Sequence, residues 1–407
     1  MIRKSFFILT TTVLVLAVFA GLVSALDEKP VSVVKTNLEN VRAYTAATSA
    51  AGISYAVDGG ELFAGRPGEW RKVTTPAGVI VGSVAVDSAK PGVVYIGAAN
   101  ELALYRTEGR KASWTRIPLD TEQVGGVISL AMDSANHLIY AGTDTAGIYR
   151  LRDVGSSVIA GGHTQLDEPV VQLATDSTGA GLAFARTPSN LYRAESLGLE
   201  WSTVQGLGSA PTALAIANRY PATVYVGTAD RGVVTSQDGV SWTLANDGLG
   251  LVPGSRLYVD ALAVDPAQLE VIYVATSYLY GSTTTHHSPV GVALSTNGGA
   301  SWSALAAVTD VAVAELLPLP DQTGAVYAVT VASRKPVALG TAPAIAASAP
   351  VVSKPDTGLS LTTILAWTIA ALAGIALAFA LVTDLRHRTK VATGSKALAK
   401  QPVSNSR

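Results

Sequence analysis

The sequence contains no cysteine among its 407 residues. This absence excludes thiolate catalysis, disulfide bonds and cysteine-ligated metal sites, and it suits an oxidising compartment as well as a reducing one. Aromatic residues make up only 6% of the chain, and 29 basic residues stand against 30 acidic ones. No overall electrostatic field therefore favours nucleic acid or a strongly charged substrate, so we expect no nucleic-acid partner.

A short apolar strand, usually centred on tyrosine, recurs along the chain at intervals of about 40 to 50 residues. The copies are Ile53–Val57, Val93–Gly97, Leu138–Gly142, Gly181–Ala185, Thr223–Gly227, Val271–Ala275 and Ala325–Val329. Each copy is preceded by an apolar strand such as Ala261–Val264. It is followed by a third strand such as Gly232–Thr235, and then by one that tryptophan begins, such as Trp242–Leu244. Four short strands in a unit of this length are typical of one propeller blade.

The repeats predict an all-β fold: a seven-bladed β-propeller with four-stranded blades over residues 26–340. The seventh unit lacks a fourth strand that begins with tryptophan. We expect the stretch Pro30–Lys35 to supply that strand, because this would join the two chain ends and remove an exposed strand edge. Tryptophans at the start of the outer strands can bury a large apolar area between blades. They are Trp70, Trp114, Trp201, Trp242 and Trp302.

Two of these tryptophans follow a polar turn that resembles the Asp-box, also called the bacterial neuraminidase repeat. In that turn an aspartate side chain accepts hydrogen bonds from backbone amides, a glycine adopts a positive φ, and a tryptophan packs beneath. Neither copy is perfect: Asn297 replaces the aspartate in the second, and the first is one residue shorter than usual. The turn residues are Ser236, Asp238, Gly239 and Trp242 in the first copy and Ser295, Asn297, Gly299 and Trp302 in the second.

Asp-box propellers include sialidases, sortilin-type receptors, other carbohydrate-active enzymes and the propeller assembly factors of photosystem II. The chain is similar in general character to the last group, which has seven short blades and acts by binding proteins. The resemblance implies a scaffold that presents one propeller face to another protein or to a surface glycan. A carbohydrate-active enzyme on the same scaffold, sialidase-like or another glycoside hydrolase, is the alternative.

The residues that such an enzyme needs are not recognisable in the sequence. Sialidases carry an Arg-Ile-Pro signature that this chain lacks, and its arginines, such as Arg186, Arg231 and Arg256, are scattered. Acids such as Asp144 and Asp230 are explained as solvated turn residues. We therefore assign no catalytic residue and no cofactor.

Tyr278, Tyr280, His286 and His287 form the candidate partner-binding loop. They lie in the connection between the second and third strands of the sixth unit, which is longer than that of the fifth. Extra loop length often reflects function, and tyrosines supply the rigid contact area that interfaces favour. An insertion without function is the alternative. No metal is assigned to the two histidines, because neighbours on an extended chain point in opposite directions and no third ligand is evident.

Residues 1–25 are typical of an export signal. Arg3 and Lys4 precede an apolar run from Phe6 to Ala20, and Val23-Ser24-Ala25 supplies small residues at the cleavage position. We expect cleavage after Ala25. An uncleaved N-terminal anchor is the alternative, because the apolar run is long for a signal.

Leu361–Val382 contains no charged residue and, as a helix, is long enough to cross the hydrocarbon layer. The basic tail, residues 383–407, is then placed in the cytoplasm by the positive-inside rule. We expect a single-pass type I protein of a bacterial cell membrane, with the propeller outside on an Ala/Pro/Ser-rich stalk over residues 341–360. In the stalk, Pro355–Gly358 resembles a sortase sorting signal. Lys354 stands where that signal has leucine, which favours a simple break before the membrane helix.

Overall fold

The computed structural model describes residues 38–45, 53–66, 69–90, 92–109, 113–179, 181–307, 311–319, 324–332 and 336–340. Within these ranges the regular structure consists of β-strands, and no helix has the length and hydropathy needed to cross a membrane. The predicted signal, stalk, membrane helix and basic tail lie outside the described residues and stay predictions.

The strands form seven antiparallel sheets that follow one another along the chain. The first sheet contains β1 (Val41–Thr45), β2 (Ser54–Asp58), β3 (Glu61–Arg66) and β4 (Glu69–Lys72). The second contains β5 (Val81–Val86), β6 (Val93–Ala98), β7 (Ala103–Glu108) and β8 (Thr115–Pro118). The third contains β9 (Val127–Asp133), β10 (Leu138–Thr143), β11 (Ile148–Asp153) and β12 (Val158–Thr164). The fourth contains β13 (Gln172–Thr175), β14 (Ala183–Arg186), β15 (Leu191–Glu195) and β16 (Glu200–Thr203).

The remaining three sheets complete the order. The fifth contains β17 (Pro211–Ala217), β18 (Thr223–Thr228), β19 (Val233–Ser236) and β20 (Thr243–Leu244). The sixth contains β21 (Arg256–Val264), β22 (Ile272–Tyr280), β23 (His286–Ser295) and β24 (Ser303–Ala307). The seventh contains β25 (Val313–Pro318), β26 (Ala325–Thr330) and β27 (Pro336–Gly340).

The sheets are the blades of an all-β β-propeller. Each first strand packs beside the first strand of the next sheet, so these inner strands surround a common axis. The first and last sheets share one apolar cluster, in which Val41 and Trp70 pack with Leu317 and Tyr327. The Tyr44 hydroxyl also donates a hydrogen bond to the carbonyl of Pro318, at 2.8 Å. The ring of sheets is therefore closed.

The prediction of seven four-stranded blades is wrong in one respect. Six sheets are complete four-stranded blades, whereas the last has three strands within the described residues. The reason is visible in the seventh repeat, which carries no fourth strand beginning with tryptophan. The stretch Pro30–Lys35, proposed to fill that place, lies outside the described residues, so closure by strand exchange stays a prediction.

The central tyrosines of the repeats connect neighbouring blades. The hydroxyl of Tyr140 donates to the carbonyl of Leu197 and that of Tyr225 to the carbonyl of Gly298, both at 2.9 Å. Each acceptor lies in a turn of the following sheet, and each tyrosine ring is fully buried. The repeated tyrosine therefore satisfies its polar end while its ring fills the space between blades.

Glycine follows these tyrosines by two residues because the next inner strand passes very close. A Cβ at Gly227 would lie 2.4 Å from Cγ1 of Val259, and one at Gly142 would lie 2.6 Å from Cγ1 of Val170. These distances leave no room for a side chain that points at the neighbouring blade.

Candidate functional site

The seven inner strands surround a central channel with a cavity of about 370 Å³, and every inner strand contributes to its lining. Several inner strands carry a β-bulge where they pass the cavity. Thr212 in β17 and Asp260 in β21 are each the extra residue of such a bulge, as the pairing register shows. A bulge changes the direction of a side chain, and here it places polar groups along the channel.

Polar side chains on one inner strand donate hydrogen bonds to backbone carbonyls of the next sheet. The hydrogen bonds run from Ser83 to Val127 O, Ser129 to Val170 O, Gln172 to Leu214 O and Thr212 to Val259 O, at 3.3, 2.6, 2.7 and 2.6 Å. They join sheets two to six in succession. This pattern of side-chain donors changes at the sixth sheet. Asp260 there occupies the bulge position that Thr212 has in the fifth sheet, and an ionised carboxylate cannot donate a hydrogen bond.

Asp260 is a perturbed acid in the channel. Burial raises its pKa to about 6, and the hydrogen bond that Ser277 Oγ donates to Oδ2 at 2.6 Å only partly opposes this effect. Ser277 is fully buried, so it holds the carboxyl in one place. A carboxyl that is half protonated near pH 6 can act either as a donor or as an acceptor.

Arg186 lines the same cavity from the fourth sheet. Its Nε donates to Oε1 of Gln172 at 3.1 Å, and burial lowers the pKa of its guanidinium to about 10. Within the part of the chain that the structure describes, Arg186 forms no salt bridge and its Nη groups make no hydrogen bond. A shielded guanidinium with an unused donor pair is therefore directed at the channel.

The predicted loop of the sixth unit is a hairpin of two long strands, which corrects the expectation of a loop. Tyr278 and Tyr280 lie in β22, His286 and His287 lie in β23, and Tyr280 pairs with His286 at the tip. The connection itself consists of residues 281–285. It turns at Gly281, where φ is +103° and a Cβ would meet the carbonyl of Thr284 at 2.0 Å. The sequence pattern missed the strands because their polar and aromatic residues resemble a loop.

The histidines of the hairpin pack on tyrosines. The rings of Tyr280 and His286 are stacked with centroids 5.3 Å apart, and Tyr258 meets His287 edge to face at 4.8 Å. Both contacts stiffen the projecting hairpin. No group of three or more potential metal ligands occurs within the described ranges.

A groove of about 310 Å³ lies between the hairpin and the segment that leads into β21. It is lined by Val252, Pro253, Gly254, Ser255, Tyr278, Tyr280 and Ser288. Val252 and Tyr280 are 49% and 47% exposed, and the neighbouring Leu251 is 67% exposed. Apolar surface of this kind, gathered on one projection, is typical of an interaction site.

The hairpin tip and Arg186 share one face of the propeller. Arg186 ends β14 and Tyr280 ends β22, and both strands are the second of their sheets. Equivalent strands of an up-and-down propeller run in the same direction, so their ends lie on one face. The turns at Asp238 and Asn297, which join third to fourth strands, lie on the opposite face.

Those two turns have closely similar hydrogen bonds. Asp238 Oδ1 accepts from Ser236 Oγ and from the amides of Val240 and Ser241, each at 2.8 Å, while Gly239 N donates to Ser236 Oγ. The amide bonds hold the pKa of the Asp238 carboxyl well below its usual range. The second turn repeats the pattern with Ser295, Asn297, Gly299 and Ser301, and its Trp302 is buried and donates to Ala245 O at 2.8 Å. Trp242 packs edge to face on Phe184 of the preceding sheet.

The site predicted from the sequence did not include two residues that line the channel. Arg186 stood among the scattered arginines, and Asp260 was not singled out. An alignment of the repeats carries the signal: Arg186 stands where other blades have Gly142 or Gly227, and Asp260 stands where the fifth blade has Thr212. Departures from a structural repeat mark positions where packing no longer explains the residue.

No protein-family model matches the chain, and no curated protein matches it. Solved structures do. A GH74 xyloglucanase from Xanthomonas campestris is 18% identical with a TM-score of 0.54, and the match covers 74% of this chain and 52% of that enzyme. This chain thus spans about half the length of the enzyme. YCF48 from Cyanidioschyzon merolae is 11% identical with a TM-score of 0.53, covering 76% and 98% of the two chains. A chain of the mitotic checkpoint complex is 12% identical with a TM-score of 0.50, covering 77% and 90%. The fold is that of a β-propeller. At these identities the likeness shows the fold alone.

Proposed function

We propose that this chain is a binding or assembly scaffold that captures another protein through the hairpin projecting from its sixth sheet. The observation that carries the proposal is the length of that hairpin: β22 and β23 have nine and ten residues, whereas the equivalent β18 and β19 have six and four. At the tip of the hairpin the extra residues Tyr280 and His286 are exposed, so packing of the blade core does not explain the full length of the two strands.

The surface of the hairpin supports a protein partner. The groove beside Tyr278 and Tyr280 is lined mainly by apolar atoms and backbone, with no charged side chain among its residues. Interface cores are depleted in charge and enriched in tyrosine, so this composition favours a protein segment over a charged ligand. Tyr278 packs into the core of the fifth and sixth sheets, which fixes the groove on a rigid base.

The proposal also includes a location at the membrane and membership of the Asp-box class. Uncharged Leu361–Val382 followed by basic residues supports a single-pass membrane anchor, with the propeller outside the cytoplasm. Protease added to intact spheroplasts should then degrade the propeller and spare the tail, and protection of the propeller would contradict this topology.

The hydrogen bonds around Asp238 and Asn297 support membership of the Asp-box class.

Site-specific photocrosslinking tests the interface. A photoreactive residue replacing Tyr280 should join the full chain to one partner in the native membrane, and Val252→Ser should abolish that product. The matched control replaces Val240, which is 67% exposed on the opposite face. Equal crosslinking from positions 280 and 240, or a product that Val252→Ser leaves unchanged, would reject the hairpin as the interface.

A carbohydrate-active enzyme is the second candidate, and Asp260 favours it. A carboxyl with a pKa raised to about 6 inside a channel is suited to general acid catalysis, and Glu315 lines the same cavity. The release of reducing ends from xyloglucan and other β-glucans by the wild type, and its loss in Asp260→Asn, would support this activity. No release above the blank from any of these glucans would reject it.

A further inference from the structure

We propose that the central channel binds a small hydroxylated carboxylate, of the class of acidic sugars, whose carboxylate pairs with the guanidinium of Arg186. The site lies in the channel and not on the projecting hairpin, so its test does not depend on the protein-binding proposal.

Arg186 enters the channel from a position that is glycine in three other sheets and apolar in the remaining three. The equivalent residues are Gly97, Gly142, Gly227, Val57, Ala275 and Val329. Gly142 and Gly227 occupy that position in the third and fifth sheets, where a Cβ would collide with the next inner strand. Arg186 is the one charged residue among the seven equivalent positions, so packing between blades does not explain it. Shielding a guanidinium from water is unfavourable unless an anion or polar groups compensate it.

Gln172 orients this guanidinium. Its Oε1 accepts from Arg186 Nε at 3.1 Å, and its Nε2 is held by the carbonyl of Leu214 at 2.7 Å. With Nε engaged, Nη1 and Nη2 are left as a pair of donors, and neither makes a hydrogen bond within the described chain. That pair has the geometry that binds one oxyanion through two charge-assisted bonds.

The other groups of the cavity define the rest of the ligand. Asp260 and Glu315 line it and would repel a second negative charge, while Arg42 adds a further cation at the wall. Asp260 Oδ2 is engaged by Ser277, which leaves Oδ1 to accept a hydroxyl from the ligand. A cavity of about 370 Å³ has room for a molecule of monosaccharide size. A ligand with one carboxylate and several hydroxyl groups therefore fits both Arg186 and Asp260.

Titration calorimetry on the full chain in mild detergent tests the site with sodium glucuronate, glucose and inorganic phosphate. The wild type should bind glucuronate at least about ten-fold more tightly than glucose, which lacks the carboxylate, or phosphate, which lacks the hydroxylated frame. Arg186→Gly installs the residue that the third and fifth sheets have at this position and should weaken glucuronate binding by about 10- to 100-fold. Arg116→Gln removes an exposed arginine that pairs with Glu101, and it should bind as the wild type does.

Three results would overturn the proposal: no glucuronate binding by the wild type, equal binding of glucose or phosphate, or wild-type affinity in folded Arg186→Gly. If that variant does not fold, Arg186→Lys decides the question. It retains the positive charge but not the paired donors, so its affinity should fall by about ten-fold. An unchanged affinity in Arg186→Lys would show that the guanidinium does not hold the carboxylate.

Discussion

Asp260 should destabilise the folded propeller at neutral pH, and Asp260→Asn should relieve that cost. Folding raises the pKa of this carboxyl from 3.8 to about 6, chiefly through burial. A shift of that size corresponds to about 3 kcal/mol where the group is ionised in both states. Because the side chain is only half-buried and faces the channel, water screens it, and we expect about 1 to 3 kcal/mol.

The pH dependence distinguishes this effect from a change in packing. Well below pH 4 the carboxyl is protonated in the folded and unfolded chain alike, so it costs nothing. Between about pH 4 and pH 6 the unfolded chain loses the proton first, and folding stability falls; above pH 6 the cost is constant. The amide of Asp260→Asn has a similar shape and can still accept from Ser277, so it should differ from the wild type only where the carboxylate is charged.

Thermal unfolding of both proteins at pH 4, 6 and 8 measures the difference. The midpoint of Asp260→Asn should exceed that of the wild type by about 2 to 6 °C at pH 8, and the gap should close towards pH 4. Asp167→Asn removes an exposed carboxylate and serves as the control. A gap that is the same at every pH, or a lower midpoint for Asp260→Asn at pH 8, would refute the reasoning.

Two further pairs of variants test the packing between blades by urea unfolding. Tyr273→Phe should lower the free energy of unfolding by about 1 to 2 kcal/mol, because the buried hydroxyl accepts from Gly324 N at 3.0 Å. Tyr327→Phe should be neutral or stabilising, because that hydroxyl is buried and has no hydrogen-bond partner among the residues that the structure describes; equal losses in both variants would contradict this account. Gly227→Ala should cost about 2 kcal/mol or more, since the new Cβ would lie 2.4 Å from Val259 Cγ1. Gly92→Ala, whose nearest neighbour would be 3.6 Å away, should cost little, and an equal cost at both positions would show that the close approach is not what selects glycine.

The repeat predicted the architecture because each blade is built from local pairings. A strand centred on Tyr140 or Tyr225, the strand before it and the two after it are antiparallel neighbours joined by short turns, so alternation and turn residues within one repeat are sufficient to place them. The same local patterns predicted the turns at Asp238 and Asn297, because their hydrogen bonds join residues that are only a few positions apart. The local patterns did not predict the strands of the hairpin in the sixth sheet, because the polar residues around His286 are typical of a loop.

Sequence by itself determined the propeller, its repeat unit and the positions of the turns, since all of these depend on contacts within about 50 residues. The channel and its lining were decided only by tertiary structure. Arg186 and Asp260 come from the fourth and sixth sheets and line one cavity because the ring closes between Tyr44 and Pro318. No local pattern encodes that closure, and the perturbed pKa values of both residues exist only once the surrounding blades have excluded water.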